Sequence, residues 1–535
     1  MLKVSTLAAT LAVSLSVPAL AAGPDLTTVQ TVVVIYAENR SFDNLYGRFP
    51  GANGLANATE AEYLQRDRDG SVMKGLPAIW GGTSAGITKG ARAAPKPLTQ
   101  AQTAEYLGTF NHPYPVGALY AQVEKDAGSG LNYVNHDLYH RFYENQMQIH
   151  GGRNDMFAAW ADSGGMVMGY FETGEAELPL WSWAKRYVLA DNFYQAAFGG
   201  SFLNHQYLVC SCAPVYPNGG HNPVEGGKDP SVSVVEPDEV TLKVAAKSPA
   251  SALEGPPVFE LSGNLTPDFY AINTMQPPFP PSNNADASQT KVDAASATTL
   301  PPQSQQTIGD LLTAANVDWA WYAGAWGYAL SHKPNTNLEG TNIPTFQTHH
   351  QPFNYFEAFD PSTVEGAANR KAHLRDGGLN GTDFLGAIDA GKLPPVTFYK
   401  PQGNLNEHAG YADVSSGDEH IADVLKHLEA GPQWAHMLVV VTYDENGGWW
   451  DHAAPPKGDR FGPGSRVPAL IVSPYAKKGV VDHTFYDTTS ILRFITHRWH
   501  LPALPGIEMR DGALASNGSP ALGDLTQALN LPISN

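Results

Sequence analysis

Two continuous apolar runs stand out in the hydrophobic pattern of the chain. Val32–Tyr36 and Leu438–Val441 are rich in β-branched residues and contain no charged position, which is typical of strands buried on both faces of a parallel sheet. The second of these runs predicts a strand at Leu438–Tyr443. Similar runs predict further strands at Val188–Ala190, Val317–Tyr322, Val396–Tyr399 and Ala469–Ser473. The amphipathic stretch Ile421–Leu428, with Asp418 and Glu419 in its first turn, predicts a helix. Together these elements predict an α/β fold, a mainly parallel central sheet flanked by helices.

Acid and amide residues directly follow the two apolar runs. Glu38 and Asn39 come after the first, and Asp444 and Glu445 come after the last. Because ligands of open α/β sheets bind beyond the carboxyl ends of the strands, both clusters are offered to one crevice. Either cluster alone is at least as well explained as a helix cap or an ion pair. Carboxylates brought together need a cation, so the two clusters predict a divalent metal ion and hydrolytic chemistry.

Ser201 is the candidate nucleophile. It follows Gly199 and Gly200, which allow a tight turn with close backbone approach, and the residues through Val209 can form a helix. The free N–H groups at a helix N-terminus stabilise an alkoxide and bind phosphate. On local sequence alone a plain N-cap serine is the simpler interpretation. The setting lacks the G-x-S-x-G pattern of α/β-hydrolases.

Histidines are the remaining candidates for chemistry. The chain has 18, and most isolated histidines in proteins are structural or merely exposed. His408 follows the predicted strand Val396–Tyr399 closely, whereas His349 and His350 follow no clear strand. Histidines beside a metal ion and a serine can bind phosphate oxygens or protonate a leaving group.

Composition narrows the class of protein. The 535 residues are 42% hydrophobic and 16% charged, with 52 glycines and 41 prolines, which suits a loop-rich enzyme. The formal net charge of -19 argues against nucleic acid or an anionic membrane as a general partner. Pro277–Gln306, rich in Pro, Ser, Asn, Ala and Thr, predicts a surface insertion rather than a linker.

The first residues are typical of a secretory signal peptide. Lys3 precedes the apolar stretch Leu7–Val17, and small residues near Ala21 offer a cleavage site. We therefore expect a signal peptide at 1–22, a single catalytic domain at 23–535, and a periplasmic or secreted protein without a transmembrane segment. Cys210 and Cys212 are either small packing residues or one strained disulfide.

The ordered motifs resemble one bacterial family. The chain is similar to the phosphoesterase family that contains nonhemolytic-type phospholipases C and respiratory-burst-inhibiting acid phosphatases, within the alkaline phosphatase superfamily. The resemblance covers nearly the whole mature chain and implies an alkaline-phosphatase-like core with loop insertions. The motifs that carry it are Glu38–Asp43, Gly151–Phe157, Gly200-Ser201, Thr307–Asp310, Asn406–His408, Asp444–Gly448, Asp451-His452 and Pro455-Pro456.

The resemblance also implies roles for individual residues. It implies one divalent metal ion, of open identity, bound by Glu38, Asn39, Ser201, Asp444 and Glu445. Ser201 is implied to be the nucleophile, with His350 and His408 as catalytic histidines. Substrate contacts are expected from Asn39, His140, His349 and Asn204. The alternative is a site with two zinc ions, for which Asp451, His452 and His483 are spare ligands.

Within this family the run His140–Ile149 is more similar to the acid-phosphatase branch. We therefore expect a phosphomonoesterase that forms a phosphoserine on Ser201. The alternative is a phospholipase C, for which Trp449 and Trp450 would form an apolar approach, although core packing explains these tryptophans better. A non-catalytic secreted binding protein would have lost a ligand or the nucleophile, and every expected position is filled. The expected partner is a small phosphate ester or a phospholipid, and the oligomeric state is not predicted.

Overall fold

The structure, a computed structural model, describes residues 23–84, 96–174, 178–216, 230–334, 337–341 and 343–533. The expected signal peptide lies outside these residues. The strands of the described chain are β1 Thr31–Ala37, β2 Tyr114–Pro115, β3 Gly169–Tyr170, β4 Val188–Ala190, β5 Phe193–Tyr194, β6 Trp319–Gly324, β7 Leu374–Gly378, β8 Val396–Lys400, β9 Met437–Tyr443, β10 Ala469–Val472, β11 Val480–Asp482 and β12 Tyr486–Asp487.

Eight of these strands form the central sheet, in the order β11-β4-β10-β9-β1-β8-β6-β7. All neighbouring pairs are parallel except the two that β10 makes, with β9 and β4. The mainly parallel α/β sheet predicted from the apolar runs is therefore confirmed, and β10 is the one strand of this sheet that runs the opposite way.

The two apolar runs lie side by side at the centre of the sheet. β1 pairs with β9 over its whole length, from Thr31 opposite Met437 to Ala37 opposite Tyr443. Every residue of both strands is buried, which explains why neither sequence alternates between apolar and polar positions. The register also brings the carboxyl ends of the two strands to the same point.

Helices surround this sheet. In the described chain they are α1 Phe42–Tyr46, α2 Glu60–Tyr63, α3 Gln100–Leu107, α4 Val116–Tyr120, α5 Phe142–Ile149, α6 Phe157–Trp160, α7 Pro179–Arg186, α8 Ser201–Cys210, α9 Ile308–Ala314, α10 Trp326–Ser331, α11 Val364–His373, α12 Thr382–Asp389, α13 Val414–Ala430, α14 Thr489–Arg498 and α15 Pro505–Ser516. None of the described helices is long and apolar enough to cross a bilayer.

Two predicted boundaries differ from the structure. The helix predicted at Ile421–Leu428 is longer, because Asp413 caps its N-terminus by accepting a hydrogen bond from the Ser416 N–H at 2.8 Å. The strand predicted from Val317 begins at Trp319, because the backbone N–H of Val317 still bonds to the end of α9.

The segment Pro277–Gln306 contains no helix or strand. Its side chains nevertheless enter the interior, since Phe279 and Leu300 are buried. The Asn354 amide donates to the Phe279 carbonyl oxygen at 2.9 Å, which ties the segment to the rest of the chain. Burial in this segment is greater than its polar composition suggested.

A buried group of charges joins the segments that follow β1 and β9. We call it the Arg466 cluster; its members are Asp43, Asp451, His452 and Arg466. Arg466 donates to Asp451 Oδ1 at 2.9 Å and to Asp43 Oδ1 at 3.2 Å. His452 Nδ1 lies 2.6 Å from Asp43 Oδ2. The cluster holds α1 against the loop after β9.

Replacing Asp43 with Asn should destabilise the protein by about 3–5 kcal/mol, because the change leaves Arg466 and His452 with one carboxylate fewer in a buried setting. Urea unfolding followed by tryptophan fluorescence measures the loss. Asp69→Asn, at an exposed turn, is the matched control and should leave the midpoint in place. A loss for Asp43→Asn below about 1 kcal/mol would contradict the role given to the cluster.

The same cluster makes stability depend on pH. Burial opposes a charge on His452, but the Asp43 carboxylate outweighs it and raises the pKa of His452 above 6.5. The resulting stabilisation is fully present below about pH 6.5 and is lost as the pH rises through the folded-state pKa. Asp43→Asn should remove this dependence, and urea unfolding of both proteins at a series of pH values from about 6.5 upward measures the difference.

Candidate active site

The carboxyl ends of β1, β9 and β8 meet at one edge of the sheet. Glu38 follows β1, Asp444 and Glu445 follow β9, and Lys400 is the last residue of β8. All four side chains are fully buried. The two acid clusters, more than 400 positions apart, are in contact, since the Asn39 N–H donates to Asp444 Oδ1 at 3.1 Å. The crevice expected from the strand ends is therefore present.

Asn39 sits in a strained but well-supported backbone conformation. Its φ of 59° is left-handed, which asparagine adopts more readily than most residues. Gly447 packs directly against it, and a Cβ at Gly447 would lie 2.3 Å from the Asn39 carbonyl oxygen. The N–H of Gly447 donates to Glu445 Oε2 at 2.5 Å. The Asp444–Gly448 motif thus interlocks with the Glu38–Asp43 motif through the backbone.

Ser201 is the first residue of α8 and lies at the centre of this edge. Its Oγ is 3.3 Å from Asn39 Oδ1 and 3.4 Å from Glu445 Oε1. Gly199, with φ of 82°, makes the turn possible, because a Cβ there would lie 2.4 Å from the Phe142 nitrogen. The predicted helix after Ser201 is present, and the serine faces the acid cluster.

Asn204 holds the turn that precedes Ser201. Its Oδ1 accepts from the Ala197 N–H at 2.9 Å. Its amide donates to the carbonyl oxygens of Ala197, Gly199 and Gly200 at 3.1–3.3 Å. The side chain is fully buried and is not among the residues that line the adjoining pocket. Asn204 therefore stabilises the turn before Ser201 and does not reach the pocket in which a substrate contact was expected.

Two of the predicted histidines lie against both the acid cluster and the pocket. His140 Nε2 is 3.3 Å from Asn39 Nδ2 and 3.6 Å from Glu445 Oε1. His408 Nε2 is 3.6 Å from Glu38 Oε2, and its Nδ1 contacts the Ala409 carbonyl oxygen. Both residues line the pocket beside Ser201.

The adjacent histidines His349 and His350 divide between pocket and interior. His349 lines the pocket, and neither of its ring nitrogens has a hydrogen-bond partner among the described residues. His350 turns inward instead, and its Nε2 contacts Glu38 Oε1. His350 therefore does not line the pocket in which a substrate contact was expected of it, whereas His349 does.

Two buried residues at this edge were not assigned a role from the sequence. Lys400 forms an ion pair with Glu38, its Nζ lying 2.8 Å from Glu38 Oε1. His205, one helical turn after Ser201, places Nδ1 2.7 Å from the Ser201 carbonyl oxygen and 3.8 Å from Asp444 Oδ2. The sequence held a signal for each residue: Lys400 directly follows the predicted strand Val396–Tyr399, and His205 is four residues after Ser201, on the same face of the predicted helix.

The acid cluster fits a divalent cation. Asp444 Oδ2 and His205 Nε2 are buried without a hydrogen-bond partner among the described residues. Burial, together with the nearby Glu38 carboxylate, raises the pKa of Asp444 to about 7. Three carboxylates with an amide oxygen and a serine hydroxyl are hard oxygen ligands, and a bound cation would remove the repulsion among them.

The spare ligands of the two-zinc alternative are engaged elsewhere. Asp451 and His452 belong to the Arg466 cluster, where an arginine already supplies the positive charge. His483 places Nδ1 2.9 Å from both carboxylate oxygens of Asp191. Asp43, Asp451 and His452 do offer ligand atoms within 4.8 Å of one another, but Arg466 already donates to both carboxylates of this group.

A pocket of about 480 Å³ opens beside Ser201. Its lining surface is polar and apolar in about equal parts and comes from Asp137, Leu138, Tyr139, His140, Arg141, Asp162, Gly200, Ser201, Phe202, Asn264, Asn273, Thr274, Gln347, His349, His408 and Tyr411. Trp449 and Trp450 are absent from the lining and are buried, so the interpretation of these tryptophans as core residues is confirmed.

One wall of the pocket comes from an irregular segment of the chain. Asn264, Asn273 and Thr274 belong to no helix or strand. Arg141 donates to the Ser262 and Gly263 carbonyl oxygens, each at 2.9 Å, and so holds this wall in place.

Cys210 and Cys212 form a disulfide at the opposite end of α8 from Ser201. The structure thus selects the bridge over two free packing residues.

Comparison with known proteins agrees with the motifs. The model of the phosphoesterase family matches residues 29–502. The chain is 30% identical over 192 residues to phospholipase C B of Mycobacterium tuberculosis, covering 31% of this chain and 35% of that protein. It is 28% identical over 265 residues to the non-hemolytic phospholipase C of Burkholderia pseudomallei, covering 42% and 35%. The aligned part thus spans about a third of the length of these two relatives.

A longer alignment joins the chain to the hemolytic phospholipase C of Pseudomonas aeruginosa, with 24% identity over 527 residues, 90% of this chain and 55% of that protein. Among solved structures, a protein in the alkaline phosphatase superfamily from Vibrio parahaemolyticus has a TM-score of 0.30 and 10% identity, covering 68% of this chain and 65% of that one. Because the family model matches most of the sequence, the chain belongs to the phosphoesterase family.

Proposed function

We propose that this chain is a metal-dependent phosphoric ester hydrolase that prefers monoesters and forms a phosphoserine on Ser201. The observation that carries the proposal is the position of the Ser201 hydroxyl, which begins a helix and lies within 3.4 Å of both Asn39 and Glu445. Membership of the phosphoesterase family supports the reaction class. The expected signal peptide supports a periplasmic or secreted location.

Glu38, Asn39, Ser201, Asp444 and Glu445 are the residues that would hold the metal ion. Their oxygens suit Mg²⁺, Ca²⁺ or Mn²⁺ and tolerate Zn²⁺. When bound, the ion supplies positive charge that lowers the pKa of the serine hydroxyl and balances charge on the phosphoryl group.

Ser201 Oγ attacks the phosphorus in line with the bond to the leaving alcohol. The Oγ–P bond forms as the P–O bond to the alcohol breaks, and a water molecule then cleaves the phosphoserine to release phosphate. The free N–H groups at the start of α8 favour the negative charge that develops beside Ser201. His140 and His349 line the pocket and can bind the phosphoryl oxygens.

His408 is the residue proposed to protonate the leaving alcohol. Its Nδ1 is held by the Ala409 carbonyl oxygen, which leaves Nε2 to carry the transferred proton. His350 is assigned a different part, since its contact with Glu38 orients that carboxylate from inside the protein.

The polar side chains that line the pocket support a small or polar leaving group. Arg141, Asn264, Asn273, Thr274 and Gln347 offer hydrogen bonds around its rim. A phospholipase C is the second candidate, because the named relatives are phospholipases C. An acyl approach built from Trp449 and Trp450 is not part of that candidate, since both side chains are buried.

The two candidates are separated by assaying p-nitrophenyl phosphate and p-nitrophenylphosphorylcholine side by side at several pH values, with and without a chelator. We expect faster hydrolysis of the monoester and loss of activity on chelation, restored by one divalent metal. Faster hydrolysis of the choline diester would contradict the proposed monoesterase activity and favour a phospholipase C. Turnover of neither, even with added metals, would favour the binding protein.

Ser201→Ala should lower turnover of the preferred ester by about 10³-fold or more, because no other group takes the place of a lost nucleophile. Rapid acid quench and peptide mass spectrometry should find phosphate on Ser201 in the wild type. Ser163→Ala, a buried serine without a hydrogen-bond partner among the described residues, is the matched control. Near-normal turnover of Ser201→Ala would refute the mechanism.

His408→Gln should slow hydrolysis of an alkyl phosphate by about 10²-fold or more and that of p-nitrophenyl phosphate much less. The reason is that p-nitrophenolate departs without a proton, whereas an alkoxide needs one. Comparison of kcat/KM for the two esters measures the difference, because this ratio reports the step that forms the phosphoserine and expels the alcohol; exposed His112→Gln is the control. Equal slowing of both esters would assign His408 to phosphoryl binding instead.

A further inference from the structure

Lys400 is a fully buried cation at the carboxyl end of β8. Its Nζ lies 2.8 Å from Glu38 Oε1 and 3.4 Å from the Ala37 carbonyl oxygen, and it sits 5.2 Å from the centre of the Tyr36 ring. A buried lysine needs a charged partner, and Glu38 is that partner. Lys400 therefore belongs to the acid cluster although it cannot bind a metal ion.

The charges of this cluster can be balanced. Glu38, Asp444 and Glu445 carry three negative charges when ionised, and all three are fully buried. Among the described residues that form ion pairs with these carboxylates, Lys400 is the one lysine or arginine; the other ion-pair partners are histidines. One ammonium and one divalent ion together supply three positive charges, which matches the three carboxylates.

Lys400 also stands where a second divalent ion would find ligands. Glu38, His349 and His350 each offer a ligand atom, and these atoms lie within 4.8 Å of one another. The Lys400 ammonium forms an ion pair with the same Glu38 carboxylate and would repel a cation placed there. The site thus holds the donors for a second metal ion together with a fixed charge that opposes it.

We propose that Lys400 takes the place of a second metal ion and restricts the proposed phosphoesterase site to one divalent cation. It acts as a positioning residue, since it fixes Glu38 and supplies a permanent charge without touching the pocket. The inference rests on the proposed function only in requiring that the acid cluster bind a divalent cation.

The first test counts metal ions in the wild-type protein. Metal-free protein is titrated with Mn²⁺ beyond saturation, and the bound metal is measured by elemental analysis and electron paramagnetic resonance. We expect one equivalent with the six-line signal of an isolated Mn²⁺ ion. Two equivalents with the signal of a spin-coupled pair in the wild type would overturn the inference without any variant.

The second test removes the charge. Lys400→Met keeps the length of the side chain, and we expect the variant to bind two equivalents of Mn²⁺ and to show the coupled signal. Lys400→Arg keeps the charge and should still bind one. Lys426→Met, an exposed lysine of α13, is the control for the substitution itself. Thermal unfolding confirms that each variant is folded before metal is counted.

Other outcomes for Lys400→Met contradict the inference. A folded variant that still binds one equivalent shows that the charge does not limit the metal content, and one that binds none shows that Lys400 only supports the structure. Failure of the proposed function looks different, because the wild type would then bind no divalent ion or Ser201→Ala would remain active.

Discussion

Three carboxylates buried at one edge of a parallel sheet are the constraint on which the site depends. Glu38, Asp444 and Glu445 have no contact with solvent, and their mutual repulsion in a dry interior would be costly without compensation. Compensation comes from Lys400 and from the backbone N–H groups of Asn39 and Gly447, which donate to the carboxylates. These groups do not neutralise all three carboxylates, and a bound metal ion would neutralise the remaining negative charge.

This electrostatic arrangement requires an accurate backbone. β1 and β9 pair in register to their last residues, Ala37 and Tyr443. The polar residues that follow the two strands therefore begin side by side. Asn39 then takes a left-handed conformation with Gly447 packed on it, and the Gly199 turn delivers Ser201 to the same point. The site thus combines buried charges, left-handed residues and close glycine contacts. Each of these features would be unfavourable alone, and here each is supported by the others.

The central sheet and the acid cluster could be predicted from the sequence, because both depend on local sequence patterns. An unbroken apolar run predicts a buried parallel strand, and residues just after such a strand are expected at the edge where ligands of α/β sheets bind. This reasoning placed Glu38 and Asp444 at the same edge of the sheet, where the structure has them. The direction of β10 was not readable, since an apolar run is the same in either direction. The inward turn of His350 and the use of Asn204 to hold a turn were missed for a related reason. Both depend on side-chain contacts between distant segments, which residue type and spacing do not encode.

The pocket shows how the molecule separates two tasks. The acid cluster and Ser201 stand on strand ends and at the start of α8, whose positions are set by the interior of the protein. The opposite wall, with Asn264 and Asn273, is an irregular segment attached through the carbonyl oxygens that Arg141 holds. Substitution or lengthening of that segment leaves the charge balance at the sheet edge untouched. Sequence changes in this segment can therefore alter which leaving group the pocket accepts, while the acid cluster and Ser201 stay the same.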